Sequence, residues 1–312
     1  MKIELENVTK VFGKGDSRKV AVDGVSWEAR GGEIFGLLGP NGAGKTTMIR
    51  MMLDIIRPDH GVVRLNGDEH GNRANSFKQR IGYLPEERGL YKKRKVIDVM
   101  LYFAALKGMA KDVAKKRAME MLERFEMEQW AGKKIEDLSK GMSQKIQIAT
   151  CVLHEPDIVV LDEPFSGLDP VNVRLVRDTI QSLKSDDKLV FLSTHMMSEV
   201  EALCDRIFMI NNGRQVLYGP LEELKRSYTE FEVVLDEAAQ PEGLASVENV
   251  VVNRQGKCVH LKTGKTIHDL MAEMAREQRP FKRFEEANTP IEDIFVSVVN
   301  SQKEVEKNGA SQ

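Results

Sequence analysis

The chain has 312 residues, enough for a sizeable core and two domains. Its 46 Lys and Arg against 48 Asp and Glu leave a net charge of −2, which gives no basic footprint for nucleic acid. No apolar run approaches the ~20 residues of a spanning helix, and MKIELENVTK lacks the apolar core of a secretory leader. Cys151, Cys204 and Cys258 lie far apart, forming neither a disulfide framework nor a zinc pattern, so a reducing, cytoplasmic setting is expected. Any membrane connection then comes through a partner.

In chain order, KIELENVTKVF and AVDGVSWEAR alternate like strands on either side of the polar turn GKGDSRK. EIFGLLG reads as a short apolar strand, and PNGAGKTTMIRMMLDII as a glycine loop entering a helix. Residues 62–66 and 81–84 read as further strands. From Val96 to Leu153 the pattern is helical, in three segments. Strands return with DIVVLDEP and KLVFLST, followed by a helix (MMSEVEALC) and a strand (RIFMINNG). Strands alternating with helices predict an α/β fold with a mostly parallel sheet. Past Leu221 the style changes to FEVVLD, NVVVNRQ and KCVHLK, a helix (TIHDLMAEMAREQ), a strand (FKRFEEA) and a last helix after Pro290. That order fits a small α+β, ferredoxin-like domain over 223–300, followed by a polar, frayed tail over 301–312.

Residues 39–46, GPNGAGKT, fit the phosphate-loop pattern G-x-x-x-x-G-K-[ST] between a strand and a helix, the context the pattern requires. The turn Gly39, Pro40, Asn41, Gly42, Ala43, Gly44 can wrap backbone N–H groups around phosphate oxygens, and the helix behind it points its positive end at the same anion. Lys45 sets a charge against the β- and γ-phosphates, and the Thr46 hydroxyl can ligate Mg²⁺. IVVLDEP puts Asp162 and Glu163 at the C-terminal end of a buried strand, the edge where open α/β sheets bind ligands. Asp162 suits Mg²⁺, and Glu163 suits orienting or deprotonating an attacking water. His195, ending another strand, faces the same edge and suits a hydrogen bond to the γ-phosphate. LSKGMSQKIQ adds a second candidate anion contact: Ser139 is a good helix cap, and Met142, Ile146, Ala149 and Leu153 pin one helical face in the core.

Together these motifs resemble the ATP-binding subunit of an ATP-binding cassette (ABC) transporter, over about residues 1–220. GPNGAGKTT, through Thr47, resembles the Walker A loop. LSKGM resembles the LSGGQ signature, IVVLDEP the Walker B strand, and SGLD (166–169) the D-loop. His195 falls at the switch histidine and Phe12 at the ring that stacks on adenine. The resemblance implies a P-loop NTPase (RecA-like) core within 1–222, an N-terminal antiparallel β subdomain and a helical signature subdomain at about 88–155. It implies an ATPase using ATP and Mg²⁺, with Glu163 and His195 catalytic. It further implies a head-to-tail homodimer in which Ser139, Gly141 and Asp169 act across the interface on the partner's ATP. The partners it implies are transmembrane permease subunits, not nucleic acid, at the cytoplasmic face of the membrane.

The sequence departs from the family pattern in two places. Lys140 and Met142 replace a glycine and the glutamine of the signature. Glu86 stands where the family has a Mg²⁺-contacting glutamine, with Arg88 nearby to shield it. LPEERGLY and the C-terminal domain also resemble a bacterial subgroup of sodium- or drug-export type, so export is the expected direction. The alternative is a soluble, non-transport ABC-type ATPase. It is opposed by the single cassette, by the absence of a long coiled-coil insertion and by the absence of a basic, aromatic-interleaved groove.

Overall fold

The computed structural model describes residues 1–69, 76–86, 89–185, 187–229, 231–253 and 255–309. They divide into two compact units, Met1–Leu221 and Glu222–Gln312.

The first unit opens with two long strands, β1 (Lys2–Phe12) and β2 (Lys19–Arg30), followed by β3 (Ile34–Leu38), α1 (Lys45–Met52), β4 (His60–Leu65), β5 (Asp68–Glu69), α2 (Ser76–Gln79) and β6 (Ile81–Leu84). A helical stretch follows, with α3 (Val96–Leu106), α4 (Lys111–Arg124) and α5 (Lys140–Val152). The chain then returns to alternation: β7 (Ile158–Asp162), α6 (Pro170–Leu183), β8 (Leu189–Ser193), α7 (Met197–Leu203), β9 (Arg206–Asn211) and β10 (Arg214–Pro220). The first sheet is antiparallel, in the order β2-β1-β4-β5. The second has the order β10-β9-β3-β8-β7-β6 and is parallel from β9 to β6, with β10 added antiparallel at one edge. The α/β reading and the antiparallel N-terminal sheet are therefore what the structure has.

Burial explains the contrast in sequence style. β3, β7 and β8 are buried at every position, because both faces of the parallel sheet are covered, one of them by α1 and the antiparallel sheet. β1 and β2 alternate, because one face meets solvent. Between the sheets Trp27 packs on Phe35, Phe191 and Phe208 with ring centroids 4.9–6.0 Å apart, and its indole N–H points at the Met48 sulfur. Some elements were not expected, the short β5 and α2 among them. The helix α6 follows the SGLD segment, and β10 extends the parallel sheet.

The second unit begins within α8 (Leu221–Ser227) and contains β11 (Val233–Leu235), β12 (Val247–Asn253), β13 (Gly256–Leu261), α9 (Ile267–Arg276), β14 (Phe284–Glu286) and α10 (Ile291–Gly309). Its sheet is wholly antiparallel, in the order β12-β13-β11-β14. Strand β13 thus splits β11 from β12, and β11 splits β13 from β14, as in a ferredoxin-like unit. One of the two helices of that plan is replaced by turns, between Leu235 and Val247. α9 starts at a capping box, with the Thr266 hydroxyl and Asp269 carboxylate exchanging hydrogen bonds with each other's backbone, and buries Leu270 and Met274 against β11 and β13. α10 continues through Gly309, so residues 301–309 are helical where a frayed tail was expected.

Candidate nucleotide site

Because β3, β6, β7 and β8 run parallel and side by side, their C-terminal ends share one edge of the sheet. Leu84 pairs with Leu161, Asp162 with Ser193, and Leu37 with Ser193. The segments leaving that edge carry the candidate residues. Residues 39–44 follow β3, Glu86 follows β6, Glu163 follows β7 and His195 follows β8. Phe12, Asn41, Gly42, Gly44, Lys45, Thr46, Thr47, Glu86, Asp162 and Glu163 line a single cleft of about 470 Å³, joined by Lys19 and Ala21. These lining residues come from both sheets.

The loop needs its glycines for two reasons. Gly39 (φ +149°) and Gly44 (φ +117°) lie in regions that disfavour side chains, and a Cβ on either would come within 2.2 Å of Ile210 O or 2.4 Å of Ala21 O. Gly44 then hands over directly to α1, whose first-turn N–H groups have no capping side chain. Lys45 curls back so that its ammonium donates to Gly39 O at 2.6 Å and Pro40 O at 3.2 Å. Ala43 is buried, and the loop is braced from its N–H to Pro40 O. Burial pulls the Lys45 pKa below its ordinary value, against the charges of Glu163, Asp162 and Glu86.

Asp162 is 3% exposed, and its Oδ2 is buried without a hydrogen-bond partner among the described residues. Burial raises its carboxyl pKa, the adjoining Ser193 hydroxyl works against the rise, and the charges of Glu86 and Glu163 add to it. A buried carboxylate oxygen left unpaired is costly unless a cation meets it. No group of three His, Cys, Asp or Glu side chains forms a metal cage among the described residues. That donor chemistry fits Mg²⁺, which binds through one or two carboxylates, water and substrate phosphates rather than a closed protein cage.

Glu163 takes a left-handed backbone (φ +52°), a conformation that costs a non-glycine residue roughly 1–3 kcal/mol and persists only when neighbours enforce it. Its N–H donates to Ser193 O at 2.8 Å. Its carboxylate Oε2 lies 2.9 Å from His195 Nδ1 and accepts from the Thr194 hydroxyl at 3.4 Å. His195 is largely exposed, at 78% of its side chain, while Glu163 is mostly covered. The two candidate catalytic side chains are thus in contact.

Ser139, Gly141 and Asp169 do not line this cleft. Ser139 caps α5, its Oγ accepting from Met142 N–H at 3.2 Å, and the residue is exposed. Its hydroxyl proton stays available to an anion. Asp169 caps α6 and is exposed, accepting from Asn172 N–H at 3.0 Å and Asn172 Nδ2 at 2.6 Å. The Asn172 backbone bond holds its carboxyl below the usual carboxylate range. A Cβ built on Gly141 would meet Gly167 O at 3.4 Å, so the α5 head lies against the turn that leads into α6. Arg88, the expected shield for Glu86, lies outside the described residues.

Three contributors escaped the sequence reading. Gln144, 4% exposed on α5, donates to Pro164 O at 3.0 Å and Glu163 O at 3.3 Å. Thr194 reaches Glu163 as above. Arg177 of α6 clamps Glu199 of α7 with two hydrogen bonds, one of 2.7 Å, and Glu199 is 2% exposed. The missing signal for Gln144 is that α5 is buried nearly all round from Gln144 to Ala149, Lys145 and Gln147 included, so a one-faced apolar stripe does not reveal it.

Comparison with known proteins agrees with this geometry. The sequence model of the family described as ABC transporter matches residues 22–166. An uncharacterized ABC transporter ATP-binding protein of Bacillus subtilis (strain 168) is 38% identical over 302 residues, 96% of this chain and 99% of the relative. A Nod factor export ATP-binding protein I of Burkholderia orbicola (strain AU 1054) is 36% identical over 232 residues, 74% of this chain and 75% of that one. A solved dimeric structure of a bacterial ABC transporter cassette superposes with a TM-score of 0.65 at 25% identity, covering 70% of this chain and 98% of that chain. With a phosphate loop, an acidic strand end and a histidine meeting at one sheet edge, and a relative matched end to end, the chain belongs to the ABC transporter ATP-binding proteins, the ATP-hydrolysing subunits of these transporters.

Proposed function

We propose that two copies of this chain close head to tail around two ATP molecules and power export by separate transmembrane subunits, at the cytoplasmic face of the membrane. The observation that carries the catalytic part is the Glu163–His195 contact at the mouth of the cleft that holds Lys45, Thr46 and Asp162. In this reading the loop amides and Lys45 bind the phosphates, trading the Lys45 bonds to Gly39 O and Pro40 O for phosphate oxygens. The adenine ring stacks on exposed Phe12, over which Lys10 already sits with its ammonium 5.7 Å from the ring centroid. Thr46, Asp162 and Glu86 would hold Mg²⁺, which when bound would supply positive charge against the phosphates. The Glu163 carboxylate takes the proton of the attacking water, and His195 orients that carboxylate and donates toward the γ-phosphate.

Ser139, Gly141 and Asp169, outside their own cleft, act on the ATP of the partner copy. That division of labour explains why the capped head of α5 is exposed and carries an unused hydroxyl donor. The export direction is supported by the printed name of the Burkholderia relative. No helix among the described residues is long and apolar enough to cross a membrane. The test uses tagged Glu163→Gln in its native host, with membranes solubilised gently in ATP and co-purifying proteins identified by mass spectrometry. A stoichiometric polytopic membrane protein is expected. Soluble partners alone, with nothing in the membrane fraction, would favour a non-transport ABC-type ATPase instead.

A further inference from the structure

We propose that Gln144 is a positioning residue for Glu163, and that it ties the catalytic glutamate of one ATP site to the helix head that meets the other. The turn carrying Glu163 is held from three directions. Strand β8 accepts the Glu163 N–H at Ser193 O, 2.8 Å away. The turn closes on itself through Ser166 N–H to Glu163 O at 3.2 Å. Gln144 supplies the third hold, from α5, with one amide group donating to two successive carbonyls, Glu163 O and Pro164 O. Only the NH₂ end of the amide can face two acceptors, so its orientation is fixed by chemistry.

The helix supplying that amide begins at Ser139 and Gly141. Its body is buried from Gln144 to Ala149, so it moves as a unit rather than flexing side by side. A displacement of the α5 head is therefore delivered to the backbone of Glu163, whose left-handed φ of +52° leaves it dependent on its neighbours. This inference rests on the head-to-tail reading above. If Ser139 engages the partner's ATP, then occupancy of that site sets the geometry of Glu163 in this one.

The test compares wild type with Gln144→Met, which keeps the side-chain length and withdraws the donor. The expected result is a kcat for ATP hydrolysis lowered about tenfold or more, with KM and the affinity of the monomer for ATP within about twofold. A merely structural glutamine would lower the melting temperature and leave kcat of the folded protein unchanged. Should Gln144→Met not fold, Gln144→Leu carries the same expectation, since it withdraws the donor without adding a charge or an acidic proton. Combining either with Ser139→Ala completes a cycle. Losses smaller than the product of the single losses are expected, because both act along one helix. Wild-type kcat in the donor-less variants, or losses that multiply in full, would overturn the proposal. Glu163→Gln in the same assay separates the two readings. If that variant retains turnover the assignment of the base fails, whereas a dead Glu163→Gln beside a fully active Gln144→Met removes the positioning role alone.

Discussion

The two units of this chain use sheets of opposite kind, and the kind of sheet decides where chemistry can sit. In the first unit five parallel strands deliver their C-terminal ends to one edge, so residues far apart in sequence, Lys45, Glu86, Asp162 and His195, collect there. In the second unit four antiparallel strands send successive ends in opposite directions. Its best-held polar groups serve structure: the Thr266–Asp269 capping box, and Glu273 accepting from the backbone and hydroxyl of Ser246 at 2.9 and 2.8 Å. Among the described residues, the buried side-chain polar atoms without a hydrogen-bond partner, Gln147 Nε2, Asp162 Oδ2 and Ser193 Oγ, all lie in the first unit. Such unmet polar groups are a local cost that a ligand site tolerates.

That contrast can be broken or sharpened by experiment. Lys45→Ala should weaken MgATP binding by more than about tenfold, since a charge-assisted phosphate contact is worth roughly 1.5–3 kcal/mol. Unchanged affinity by calorimetry would remove the phosphate-loop assignment. Ser139→Arg should abolish hydrolysis while the monomer still binds ATP. Loss of monomer binding as well would show that the α5 head serves its own cleft rather than a partner's.

Effects on stability should separate the units. Arg177→Met leaves Glu199 buried without its cation, so unfolding should cost about 3–5 kcal/mol less, read from denaturant midpoints. Leu270→Ala in the second unit, a fully buried α9 residue, should cost about 2–5 kcal/mol of stability yet leave ATP turnover of the folded chain intact. A matching fall in kcat would mean that the second unit is part of the catalytic machinery.

The smallest expected effect is on pH dependence. His154 is held near the Ile81 carbonyl, and burial pushes its pKa down to about 4. Its folded pKa lies below the ordinary value of 6.5, so the unfolded chain takes up a proton that the folded chain refuses. The neutral ring therefore favours folding above pH 6.5, and that advantage shrinks as pH falls toward 4. His154→Gln should flatten the thermal melting profile across this window, and an unchanged profile would show that His154 does not carry it.

Legibility in the sequence followed the same division. The phosphate loop, Asp162 and Glu163 were readable because each motif fixes its own local geometry and sits beside a buried strand. The antiparallel and parallel sheets were readable from alternating against continuous apolar runs. Helix α6 carried clear signals, an Asp169 cap, Pro170 in the first turn and Val173, Val176 and Ile180 on one face, yet it stood hidden behind a motif reading of SGLD. Gln144, Thr194 and the Arg177–Glu199 pair were not readable, because each matters only through residues that the fold, not the spacing, brings near. The connection between Leu235 and Val247 was open between a short turn and a helix, because the strand pattern specifies pairing, not the connection, and the structure has turns.

The central claim is that Glu163 works on ATP enclosed between two copies of this chain. The most direct measurement is light scattering of purified Glu163→Gln with and without MgATP, beside its rate of phosphate release. The account predicts a stable ATP-dependent dimer with turnover reduced at least about a hundredfold, the lower end expected for loss of a general base. A variant that hydrolyses ATP at the wild-type rate, or that stays monomeric at saturating ATP, would contradict it.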